Sequence, residues 1–234
     1  MRMETYRKNA IIVGVLFIIA TAFLYIGGAV YKPFLGSPDY LEIAYPNQII
    51  AVVGMLIEFA CVLAIPLIAV FFYPVLRKHN EALAIGYVGF RFFEAVLFVS
   101  VEINKLSLIN VSQGYLLKGG MDTPFFQNMG LLIQSTNQLI FSIYVVVFAV
   151  GALLLYSALY KSKLVPRFIS LWGLIGAVVI LSGALLGMIV FGSESSDLGW
   201  EPVFFIPIAV NEMVLAIWLI AKGFNPTLPV SENQ

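Results

Sequence analysis

Six stretches of this chain are each apolar over about twenty residues, and that pattern fixes the solvent before it fixes anything else. At about 1.5 Å of rise per residue, a helix of that length crosses a hydrocarbon core roughly 30 Å thick. The runs are Ala10–Tyr31, Ile49–Val75, Leu83–Leu108, Met129–Leu155, Ile169–Phe191 and Val203–Ala221. In lipid, only α-helices and closed barrels satisfy every backbone N–H and C=O. Runs this long, without the alternation of a barrel strand, choose helices. The sequence therefore predicts an all-α integral membrane protein, a six-transmembrane-helix bundle forming one domain over residues 1–224. Residues 225–234 are expected to be a short flexible tail.

Composition agrees. Hydrophobic residues make up 61% of the chain and charged residues 11%, against about 45–50% and 25% in soluble domains. The first run follows Arg7 and Lys8, as in a signal peptide, but it exceeds the roughly 7–15 residues of a signal core and reads as a retained first helix. Pro66 is an expected kink in the second span.

Orientation follows from the lysines and arginines of the short loops. Arg2, Arg7, Lys8, Arg77, Lys78, Lys161, Lys163, Arg167 and Lys222 fall on one side of a six-span topology. Lys32 and Lys118 fall on the other, with Lys105 near the same end of its helix. The asymmetry predicts cytoplasmic N and C termini. The longer connections, from Lys32 to Gln48 and from Ile109 to Asn128, then lie outside, the second with a polar and helix-compatible part.

Several chemistries are excluded by counting. There is one cysteine, Cys61, and one histidine, His79. A Cys/His zinc site needs more ligands, and bis-histidine haem cannot form within one chain. The three aspartates, Asp39, Asp122 and Asp197, fall in outer loops, so no intramembrane aspartic dyad exists. No phosphate-binding G-x-x-x-x-G-K-[ST] loop is present. The formal net charge is zero, so no nucleic-acid partner is implied. No cofactor motif is present, and the oligomeric state is left open. The partner that the sequence does demand is the lipid bilayer.

Charged groups at membrane depth cost several kcal/mol and normally face a partner or a cavity. In the third span, Tyr87, Arg91, Glu94, Phe98, Glu102 and Lys105 fall within a stripe about 80° wide at about 100° per residue. Arg91 with Glu94, and Glu102 with Lys105, have the three-residue spacing of same-face ion pairs. The second span carries Glu58, the fourth carries Gln134, Asn137 and Gln138, and the sixth carries Asn211 and Glu212. Counting about 1.5 Å per residue from the span ends, Glu58, Glu94, Gln138 and Glu212 fall at similar depth. One shared region would then hold three glutamates against the arginine, an imbalance that calls for protonation or a bound cation.

Glu58, Arg91, Glu94, Gln134, Asn137, Gln138, Asn211 and Glu212 are accordingly the candidate site. They could form a proton relay or a pocket for a small solute or ion. The competing readings are structural glue in a non-catalytic sensor, regulator or partner subunit, and a lipid-acting enzyme with a metal held by Glu58, Glu94 and Glu212. Elsewhere, Gly176, Gly183 and Gly187 share a face of the fifth span and predict close internal helix packing. Trp172, Trp200 and Trp218 sit near span ends, as interfacial anchors do. Glu94-Ala95-Val96-Leu97 echoes Glu212-Met213-Val214-Leu215, too short a match to establish an inverted repeat.

Three segments carry a family likeness: Arg7-Lys8-Asn9-Ala10 at the first span, Phe90-Arg91-Phe92-Phe93-Glu94-Ala95-Val96-Leu97 in the third, and Asn211-Glu212 with Leu215-Ala216-Ile217-Trp218-Leu219-Ile220 and Lys222-Gly223-Phe224 at the end. Together they resemble the bacterial multi-pass "domain of unknown function 4386" family. The resemblance implies a prokaryotic inner-membrane six-helix protein. It draws attention to Arg91, Glu94 and Glu212 and implies no substrate.

Overall fold

The computed structural model describes residues 2–191 and 201–225. It contains α1 (Arg2–Leu35), the short α2 (Tyr40–Ile43), α3 (Gln48–Leu76), α4 (Glu81–Leu117), α5 (Thr123–Ser162), α6 (Arg167–Leu186, continued by a π turn at Gly187–Phe191) and α7 (Glu201–Ala221). No strand occurs among the described residues, and six of the helices are long and apolar enough to cross a membrane. Each long helix packs on the next in the chain, and α7 returns to pack on α1. The six spans therefore form a closed ring whose interior faces the polar stripe of α4.

The helix ends follow local chemistry. Asn80 caps α4 by accepting a hydrogen bond from the Leu83 N–H at 2.9 Å, which satisfies one of the free donors of the first turn. Gly119 and Gly120, at φ +61° and +77°, turn the chain out of α4. Pro124 then supplies a fixed φ at the start of α5. At the end of α7, Gly223 adopts φ +77° and its N–H reaches the carbonyls of Trp218 and Leu219, a left-handed cap that glycine makes cheaply.

Pro66 and Pro74 lie inside α3, which remains one helix throughout. The residues of the spans pack closest where glycine faces glycine or a ring. A Cβ on Gly27 would lie 2.6 Å from the Gly54 carbonyl oxygen and 2.7 Å from the Glu58 nitrogen. The α1–α3 contact beside Glu58 is thus backbone against backbone. The glycine face of α6 packs inward as expected, with Gly176 against Ile208 and Gly183 against Phe204 of α7.

Both longer connections carry more helix than their apolar runs marked, and the helix-compatible part of the second is realised. The stretch from Ile109 to Asn128 is mostly helix: α4 spans 37 residues and α5 spans 40. At about 1.5 Å per residue these measure about 55 and 60 Å, nearly twice the hydrocarbon thickness. They project as a hairpin against which the α1–α3 connection folds. Leu35, Tyr40, Leu41 and Ala44 bury against Leu108, Ile109, Val111 and Phe126. Ser112 fastens this cap, donating to the Leu41 carbonyl at 2.8 Å and accepting from the Tyr45 N–H at 3.0 Å. The connection from Lys32 to Gln48 is likewise partly helical, since α1 runs on to Leu35 and α2 follows.

At the opposite end, the first and last spans interlock. The Arg7 guanidinium donates to the carbonyls of Leu219, Ile220 and Ala221 at 3.2, 2.6 and 3.3 Å, placing a cation on the negative end of the α7 dipole. Lys78 lies 4.4 Å from the Tyr6 ring centroid. Asn225, expected to begin the tail, donates through its backbone to Leu164 at 2.7 Å and through its side chain to Lys163 at 2.9 Å. Arg7, Lys78 and Lys163 thus gather at one end of the bundle. Trp200 and residues 226–234 lie outside the described residues.

Candidate functional site

The ionisable side chains of the interior separate into two triads stacked along α4. In the first, Arg91 Nη1 donates to both oxygens of Glu94 at 3.1 and 3.0 Å. Arg91 Nη2 lies 3.5 Å from Glu212 Oε1, and Nε donates to the Tyr87 hydroxyl at 3.1 Å. The guanidinium plane also faces the rings of Tyr87 and Phe148, at 5.3 and 5.4 Å from their centroids. Arg91 and Glu94 are only 3% and 1% exposed, while Glu212 keeps 14% of its side chain exposed. Tyr144 of α5 adds its hydroxyl beside Glu94.

The second triad centres on Lys105. Its ammonium donates to Glu102 Oε1 at 2.8 Å and to Glu58 Oε2 of α3. It also stands over the Tyr31 ring of α1, 4.1 Å from the centroid. Glu58, Glu102 and Lys105 are all buried.

This geometry corrects the placement of Glu58. The sequence reading put it at the depth of Glu94 and Glu212, but it pairs with Lys105, eleven positions further along α4 than Glu94. At about 1.5 Å per residue, that offset is about 16 Å of helix. Glu58, Glu94 and Glu212 do not converge, and no group of three His, Cys, Asp or Glu side chains among the described residues is arranged to hold a metal ion. Glu102, Lys105 and Tyr31 were outside the candidate set. The stripe on α4 had exposed the first two, and their partnership with Glu58 is what depth counting could not give.

Between the triads lies an aromatic layer. Phe98 stacks on Tyr144 at 5.3 Å, and Phe141 stacks on Tyr144 at 5.5 Å and on Phe205 at 6.2 Å. Cys61, buried one turn from Glu58, feels the charges of both triads.

The amides of α5 sit apart from Arg91. The α4–α5 register, set by Gly151 against Phe90 and Gly114 against Phe126, puts Asn137 at about the level of Asn104 and Gln138 at about that of Glu102. Gln134, Asn137 and Gln138 are half-buried. Asn137 Oδ1 and Asn104 Nδ2 are buried without hydrogen-bond partners. Asn211 is fully buried and donates to the Ile169 carbonyl at 2.9 Å, tying α7 to the first turn of α6. Its Oδ1, with Ser170 Oγ and Tyr156 Oη, is buried without a hydrogen-bond partner. Buried polar atoms are usually satisfied, so these three atoms mark polar interior on the α5, α6 and α7 walls. The apolar groove lined by Val70, Tyr73, Ile85 and Val88 holds no ionisable side chain of either triad.

Each triad carries one cation and two carboxylates. With all groups ionised each holds a net charge of −1, a costly state in low dielectric. The arrangement can take up one proton or monovalent cation per triad.

No curated protein and no solved structure matches the chain. The family model described as Domain of unknown function (DUF4386) matches residues 12–223. The match runs from the first third of α1 to the glycine that ends α7 and takes in both triads; the chain is a member of the DUF4386 family.

Proposed function

We propose that this is an inner-membrane protein, with cytoplasmic termini, that takes up and releases a proton at the Arg91, Glu94 and Glu212 triad while handling a small solute or ion. One observation carries the reading: a single buried guanidinium faces the buried Glu94 carboxylate and the largely buried Glu212 carboxylate. A proton on one of them neutralises the cluster, and its release restores a charge that must be compensated. Tyr87 and Tyr144 supply hydroxyls beside Arg91 and Glu94, the kind of group through which a proton passes. The basic end of the bundle supports the orientation.

Infrared difference spectroscopy of the reconstituted protein across a pH step tests the proposal. A protonated-carboxyl stretch that shifts in heavy water is expected, and E94Q or E212Q should remove it. If the band is unchanged in both variants, the triad is a structural link and the protein a non-catalytic membrane component.

A further inference from the structure

The wall of the bundle carries a groove between α3 and α4. Val70 and Tyr73 line one side and Ile85 and Val88 the other, around about 280 Å³ of space. Val70 and Ile85 are 44% and 55% exposed, so the groove opens to the outside of the ring. Three of the four lining side chains are β-branched and hold few rotamers, which makes the walls stiff. Gly89, one turn beyond Ile85 on α4, is exposed and has nothing within 4 Å of a built Cβ. On the face that Ile85 presents, α4 thus has a notch instead of a side chain one turn deeper in the span.

One end of the groove is marked by charge. Arg77 caps the C-terminus of α3 one turn after Tyr73, and its guanidinium lies 5.6 Å from the centroid of the Tyr73 ring. The same ring is groove wall and seat of the cation. Arg77 is exposed, and among the described residues its side chain makes no ion pair or hydrogen bond. Lys78 follows it, and Glu81 is the single carboxylate between Pro74 and Val88, so positive charge is in excess there. Any acyl chain fills an apolar slot. The guanidinium at its mouth selects among lipids, because its planar fork matches phosphate oxygens and cations at a membrane surface attract anionic headgroups.

We propose that Val70, Tyr73, Arg77, Ile85 and Val88 form a binding site for one anionic phospholipid, with its phosphate on Arg77 and a segment of one acyl chain in the groove. The lipid touches α3 and α4 at once and so braces the helices that carry Glu58 and Arg91. The site shares no residue with either triad, so it goes beyond the proton reading and stands or falls separately.

Native mass spectrometry and thermal unfolding of the detergent-purified protein test this. The probes are phosphatidylglycerol and phosphatidylcholine with matched chains, and glycerol 3-phosphate as a headgroup without a chain. Phosphatidylglycerol should give a one-to-one adduct and a saturable rise in unfolding temperature, as a ligand of the folded state does. Phosphatidylcholine should bind more weakly, and glycerol 3-phosphate should do nothing. R77Q should weaken phosphatidylglycerol binding by about fivefold, the loss of one basic contact at a membrane surface. R167Q removes an exposed guanidinium that faces Tyr160 of α5 instead, and should leave the affinity unchanged. I85W fills the slot from an exposed position, and G89L fills the notch where nothing obstructs it. Both should fold and both should lose the adduct, while E94Q keeps it. Equal affinity for the two lipids, binding of glycerol 3-phosphate alone, equal losses in R77Q and R167Q, or full binding in I85W and G89L each overturn the site. So does a dimer that forms without lipid and that I85W dissolves, because the slot then belongs to a second copy of the chain.

Discussion

Arg91 Nη2 stands 3.5 Å from Glu212 Oε1, an ion pair that joins α4 to α7 across the bundle interior, between helices that otherwise barely touch. The same guanidinium holds Glu94 on its own helix. One side chain thus ties the middle of the chain to its end at membrane depth.

Arg91→Leu should be strongly destabilising, because it strands two carboxylates in the interior. A broken buried pair costs about 3–5 kcal/mol. Combining R91L with E94L and E212L should recover most of that loss, since the uncompensated charges go too. Thermal unfolding in detergent distinguishes the two. Equal stability of the single and triple variants removes the electrostatic explanation.

Glycine positions offer a steric test with an internal control. In Gly27→Ala the new methyl meets the Gly54 carbonyl 2.6 Å away, and backbone cannot swing aside. Overpacking of this kind costs about 1–3 kcal/mol. Gly89 has nothing within 4 Å of a built Cβ, so Gly89→Ala should be neutral or gain about 0.5–1 kcal/mol of helix stability. Should the two variants unfold alike, the α1–α3 contact is looser than described.

Arg7→Ala removes the cation from the α7 carboxyl end, where Arg7 reaches three carbonyls. A loss of about 0.3–1 kcal/mol is expected from the dipole term, shrinking in high salt. Arg7→Lys should restore part of it. Hydrogen exchange at Leu219, Ile220 and Ala221 should rise in R7A, and unchanged exchange there argues against capping.

His79, between α3 and α4, has its pKa lowered from 6.5, first by burial and then by the adjacent Lys78. The folded protein therefore binds this proton less readily than the unfolded chain. Stability from this group is full at pH above 6.5 and falls as pH drops through the window below it. H79N should flatten that part of the pH–stability curve. If wild type and H79N run parallel through it, the group is freely solvated.

Cys61 is the single cysteine in the chain and is buried between the triads. A membrane-permeant maleimide should label it slowly in folded protein. Phe98→Ala thins the aromatic layer beside it and should speed labelling. Rapid labelling of the wild-type protein points instead to an interior already open to water.

The architecture was legible because lipid imposes it. Runs of apolar residues gave the six spans, and the 3.6-residue period gave the stripe of α4 with its Arg91–Glu94 and Glu102–Lys105 pairs. The partner of Glu58 was not legible. Counting rise from a span end presumes that all helices end at the membrane surface, yet α4 continues to Leu117 and α5 begins at Thr123. The mid-depth of each was displaced, and Glu58 and Gln138 were matched to the wrong level. Ser112 was the missed signal. It lies eighteen positions beyond Glu94, five full turns and hence on the same stripe. It shows that the inward face of α4 persists past the apolar run. Depth also says nothing about azimuth, which is why Glu212 could be matched to Arg91 while Tyr31 was overlooked.

Because the ring is completed by the contact between α1 and α7, the wall cannot exist until α7 has been made. During translation the earlier helices must wait in the bilayer with a gap facing lipid, Arg7 without its carbonyls and Arg91 with one carboxylate instead of two. The seam between α1 and α7 joins segments made far apart in time, and it is the last of the helix contacts in the ring to form.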